Sequence, residues 1–90
     1  MAHARPKDLA DLSELLARIR TLPGLKETQT GIFYRSGKGF LHFHTRQGER
    51  WADIREGPNW GEPVPLPFGA DSQAQVAFLA VVRERLARPL

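Results

Sequence analysis

Two segments, Phe40-Leu41-His42-Phe43-His44 and Trp51-Ala52-Asp53-Ile54-Arg55, alternate at period two on either side of the polar stretch Arg46-Gln47-Gly48-Glu49. Alternation sends neighbouring side chains to opposite faces, so this pattern confines the chain to a β-hairpin more tightly than any other segment does. A four-residue loop at 46–49 sets Thr45 opposite Arg50, Phe43 opposite Ala52, His42 opposite Asp53 and Leu41 opposite Ile54. Leu41, Phe43, Ala52 and Ile54 then form a core face. Phe40, His42, His44, Trp51, Asp53 and Arg55 form the other, too aromatic for a plain solvent face and too polar for a plain core.

The flanking segments read as helices and further strands. Leu9, Leu12, Leu16 and Ile19 make one stripe of a 3.6-residue period, widened by Leu15 and Leu22, with Asp8 as the expected cap and Asp11 in the first turn. Pro23-Gly24 ends this helix, and residues 1–6 are expected to be a frayed end. A strand is expected over Thr28 to Arg35, joined to the hairpin by the tight turn Ser36-Gly37-Lys38-Gly39. An unbroken register puts Ile32 and Tyr34 with Leu41 and Phe43, and leaves Phe33 and Arg35 with Phe40 and His42. Pro63, Pro65 and Pro67 remove backbone donors on one edge only, so residues 62–68 read either as an outermost strand or as polyproline II. Ser72 and Gln75 match a capping box opening a second helix, in which Val76, Phe78, Leu79, Val82 and Leu86 are the expected buried side. Arg83, Arg85 and Arg88 suit its C-terminal dipole.

The 90 residues are therefore expected to form a single domain spanning 1–90. The fold class is α+β: a two-layer sandwich of helix, antiparallel meander of three or four strands, and helix, with both helices on one sheet face. The absence of cysteine excludes disulfides, thiolate metal sites and cysteine nucleophiles. There is neither a membrane-length apolar run nor the apolar core of a signal peptide, so the expectation is a soluble cytoplasmic protein with no membrane partner. A net charge of +3, with ten arginines among thirteen basic residues, favours anionic partners only weakly because acidic residues lie among them.

The helix-free sheet face, with Phe33, Phe40, His42, His44, Trp51, Asp53 and Arg55, is the expected binding surface, the plain alternative being that a longer loop or the Trp60 region folds back and covers it. Aromatic and arginine side chains are enriched at interfaces, so the leading reading is a non-enzymatic module that binds a protein partner or forms a homodimer. The alternative is a metal- or small-ligand-binding protein using His42, His44 and Asp53. The two imidazoles lie about 7 Å apart along one strand face, and with a carboxylate across the hairpin they suit zinc or iron. The plain reading of the same residues is a cross-strand His42–Asp53 contact, since His3 falls in the tail and Glu49 in the turn. A catalytic use of His42 lacks a nucleophile: Ser13 and Ser72 lie on helices and Ser36 in the far turn, which disfavours an enzyme. Nucleic acid is a weaker partner reading, with Phe33, Phe40 and Trp51 stacking bases beside Arg35, Arg50 and Arg55, and Asp53 opposing the anion. No cofactor can be named from these residues.

The run Gly39-Phe40-Leu41-His42-Phe43-His44 with Ala52-Asp53-Ile54-Arg55 resembles a family of small uncharacterised bacterial proteins that share an FLHFH…ADIR core between two helices. More distantly it is similar to the small bacterial domain called "luciferase family". The resemblance covers the layout from about Leu22 to Leu86 and is specific over Gly39 to Arg55. It implies a helix–meander–helix domain, with no established reaction and no functional residue to carry over.

Overall fold

A computed structural model describes residues 3–89. A 3₁₀ segment (Pro6–Leu12) leads into helix α1 (Ser13–Arg20), followed by strands β1 (Leu25–Gln29), β2 (Ile32–Arg35), β3 (Lys38–Arg46), β4 (Glu49–Glu56), β5 (Asn59–Trp60) and β6 (Val64–Pro65), and by helix α2 (Ser72–Leu86). The sheet is antiparallel in the order β1-β2-β3-β4-β5, with β6 also paired to β4. The architecture is α+β, with six strands where three or four were expected. The single strand expected over Thr28 to Arg35 is in fact a hairpin, because Gly31 turns the chain at φ +78°. A Cβ there would also overlap Leu9 Cδ1 and touch Phe43, so glycine is required twice over.

The β3–β4 register is the expected one, extended by an Arg46–Glu49 pair. Gln47 and Gly48 both have positive φ, the sign pattern of a type I′ turn, whose twist matches that of the flanking strands. Leu41, Phe43, Ala52 and Ile54 are buried in one cluster with Leu9, Leu12, Leu15, Leu16 and Ile19 from the N-terminal helical segment and Phe78, Leu79 and Val82 from α2.

The β2–β3 parity is not the expected one. Phe33 pairs with Leu41 and Tyr34 with Gly39, so the register shifts by one residue at Phe40. Such a bulge reverses the faces that an unbroken ladder preserves. Phe33 and Phe40 therefore lie in the core, each almost inaccessible, whereas Tyr34 is exposed. Burying two phenylalanines and leaving the phenol in water is the favourable exchange, about 1.5–3 kcal/mol for each buried ring.

Four further expectations are corrected. Met1 and Ala2 lie outside the described residues, but the rest of the expected frayed end is fastened: His3 bridges His44, and the Ala4 N–H donates to Phe43 O at 2.9 Å. Asp8 is not the helix cap; it sits three residues into the 3₁₀ segment and accepts the Arg5 N–H at 3.0 Å. On α2, Asp71 rather than Ser72 is the cap, accepting from Ala74 N at 2.8 Å. That helix is also rotated: Val76 is exposed and Arg85 buried, because Phe78 stacks on Phe43 at 5.7 Å. Arg85 donates to the Ile54 and Glu62 carbonyls at 3.0 and 3.2 Å.

The proline-rich stretch pairs over two residues as β6, and Leu66 N–H donates to Arg50 O at 3.1 Å. Arg50 itself is buried on the core side of β4. Its Nε donates to Leu66 O, Nη1 to Asp8 O and Asp11 Oδ1, and Nη2 to Asp11 Oδ2 and Pro67 O, at 2.6–2.9 Å. All five guanidinium N–H groups are thus satisfied. The Phe68 ring lies 4.5 Å from its Cζ. One side chain ties the N-terminal segment, β4 and the proline-rich segment together.

Candidate metal centre

The second face of the sheet gathers three histidines. His42 and His44 stand two residues apart on β3, as their spacing dictates. His3 joins them because directly opposed residues of an antiparallel pair share a face, and His3 opposes His44. One ligand nitrogen from each ring lies within 4.8 Å of the others. His42 Nδ1 and His44 Nε2 are 2.8 Å apart, close enough for one N–H to bridge them. Two imidazole nitrogens on a tetrahedral zinc stand about 3.4 Å apart, so a small opening of this pair admits the ion.

Asp53, across the hairpin from His42, places Oδ2 2.9 Å from His44 Nε2. That one nitrogen is approached by both a carboxylate and a second imidazole. If it carries a proton, two acceptors share one donor; if it is bare, its lone pair faces a carboxylate. His44 Nδ1 is buried and has no hydrogen-bond partner among the described residues. A buried polar atom left this way is costly, whether it carries the ring proton and lacks an acceptor or is bare and lacks a donor.

Electrostatics favour a neutral His42. Burial, then the neighbouring His44 and His3, push the His42 pKa down from 6.5 to about 4, with Asp53 opposing. Above about pH 5 no proton competes for its lone pair, which is the state a metal ion requires.

Aromatic rings wall the cluster. Trp51 stacks on His44 at 5.6 Å, and His44 on His3 at 5.4 Å. His42 meets His3, His44 and Trp60 edge-on, each at 4.7 Å. Trp60 packs over Gly39, where an added Cβ would make an ordinary contact with the indole at 3.6 Å. Arg55 covers the other side of that indole at 4.5 Å and donates to Gly39 O and Pro58 O at 2.6 and 2.9 Å.

Of the seven expected surface residues, His42, His44, Trp51, Asp53 and Arg55 are together on this face, and Phe33 and Phe40 are not. The base-stacking platform expected of Phe33, Phe40 and Trp51 thereby loses two of its three rings. Arg50, expected beside it, is buried elsewhere. His3 and Trp60 belong to the site without having been assigned to it from sequence. For His3 there was no local signal.

Two cavities of about 500 and 520 Å³ are lined by Leu22, Arg35, Arg83 and Leu86, and by Asp11, Leu15, Gln75 and Leu79, among others, and neither includes a residue of the histidine cluster. No helix among the described residues is long and apolar enough to cross a membrane. No family model, curated protein or solved structure matches this chain.

Proposed function

We propose that this domain is a non-enzymatic module that binds a transition-metal ion through His3, His42 and His44, with Asp53, whose Oδ2 meets the same His44 Nε2, as fourth ligand. The convergence of three imidazoles from two separate segments within 4.8 Å carries the reading. An all-imidazole set beside a carboxylate suits zinc or copper(II), and the absence of thiolates argues against softer ions. The aromatic walls limit water access and hold the rings, as outer partners of a metal site do.

Titration of the metal-free protein with zinc against a chromophoric chelator tests this. One ion per chain is expected, with binding lost in His44→Ala and weakened roughly 10–100-fold in Asp53→Asn. Absence of competition with the chelator at stoichiometric zinc would overturn it.

A second reading is favoured by the exposure of Trp60 and Tyr34. In a two-layer arrangement, the face away from the helices would dock a protein partner or a second copy of the chain, with Trp51 and Arg55 at its centre.

A further inference from the structure

We infer that the ion acts as a clasp, fastening the segment His3–Ala4 onto the part of β3 that no other strand covers. The inference rests on the metal reading above and assigns that site a structural consequence.

The sheet leaves a gap that this segment fills. On its β4 side, β3 is paired from Leu41 to Arg46. On its other side, β2 pairs only with Lys38 to Leu41. Beyond Leu41 the β2-side edge of β3 is met, among the described residues, by His3 and Ala4 alone. An uncovered edge offers unpaired N–H and C=O groups to any passing strand, so a cover there has value.

The cover itself is slight. Among the described residues it consists of one backbone hydrogen bond, Ala4 N–H to Phe43 O at 2.9 Å, the buried Ala4 methyl and the stacking of the His3 ring. Short pairings of this kind open locally without global unfolding. His42 and His44 are fixed on a central strand, whereas His3 can leave. An ion held by all three rings binds the closed segment more tightly than the open one and therefore shifts the segment towards closure.

Linkage makes the effect quantitative. The factor by which His3 strengthens zinc binding equals the factor by which zinc protects the closed segment. Two independent measurements must then agree. One is the ratio of zinc dissociation constants, His3→Ala over wild type. The other is the slowing of Ala4 amide exchange in the wild-type chain at saturating zinc. The Gly61 amide, bonded to Ile54 O at 3.0 Å outside the segment, is the internal control.

Hydrogen exchange by NMR on the full chain, with and without zinc, reads the slowing, and chelator competition reads the ratio. Roughly tenfold or more slowing at Ala4, little at Gly61, and a matching affinity ratio are expected. If zinc binds yet Ala4 exchange is unchanged, or Ala4 and Gly61 slow equally, the clasp is refuted and a site of His42, His44 and Asp53 stands without it. If wild type binds no zinc, both the clasp and the metal reading fall.

Discussion

Replacing Arg50 by methionine keeps most of the stem and removes the guanidinium. Three backbone carbonyls, those of Asp8, Leu66 and Pro67, then lose their donors, and Asp11 loses a bidentate partner. Breaking a buried ion pair from one side costs about 3–5 kcal/mol. The Asp11 side chain is 35% exposed and keeps the Gly69 N–H at 3.0 Å, so it can rehydrate in part, which points to the lower half of that range. A domain of this size has only about 5–13 kcal/mol in total. With a urea dependence of about 1 kcal/mol per molar, the unfolding midpoint should fall by roughly 3 M. Arg50→Lys keeps the charge but offers three donors in place of five, and should lose about half as much.

The ion pair also has a pH signature. The Arg50 hydrogen bond lowers the Asp11 pKa from 3.8, against the opposing effect of burial. A carboxyl with a depressed folded pKa adds stability that is present above 3.8 and is lost as pH falls below it, towards the folded value. This acid limb should shrink in Arg50→Met, which leaves the Gly69 N–H on the carboxylate. The assay is urea unfolding followed by circular dichroism, with Asp11→Asn completing a double-mutant cycle. A loss below about 1 kcal/mol in Arg50→Met, or strict additivity in the cycle, would refute the staple.

Two other consequences concern the histidine face. The folded His42 pKa of about 4 lies below its ordinary 6.5, so the unfolded chain takes up its proton first. The stability this residue contributes is complete above pH 6.5 and is lost as pH falls from 6.5 to about 4. The full span is at most about 3 kcal/mol, less after solvent screening, and His42→Gln should flatten it in pH-dependent melts. If the face docks a second copy, Trp60→Glu should convert a dimer to a monomer in sedimentation without changing the far-ultraviolet spectrum; a monomeric wild type at millimolar concentration would exclude the homodimer.

What could be read from the sequence was local. Period-two alternation about the polar loop at 46–49 specified the β3–β4 hairpin, its register and the shared face of His42, His44, Trp51 and Asp53, since the side-chain period is a property of the strand itself; that the loop closes on Gln47 and Gly48 alone came from the fold. The leucine stripe likewise identified the N-terminal buried residues. Arg50, expected beside the open face, is held inward instead by partners that lie 16 to 42 residues away. The bulge at Phe40 was decided by packing: one extra residue inverts a face, and the choice between burying Phe33 or Tyr34 rests on which ring tolerates loss of water. The arrival of His3 and Trp60 was likewise tertiary. Their places, an unpaired strand edge for His3 and the ring of His42 for Trp60, exist only once the sheet has formed.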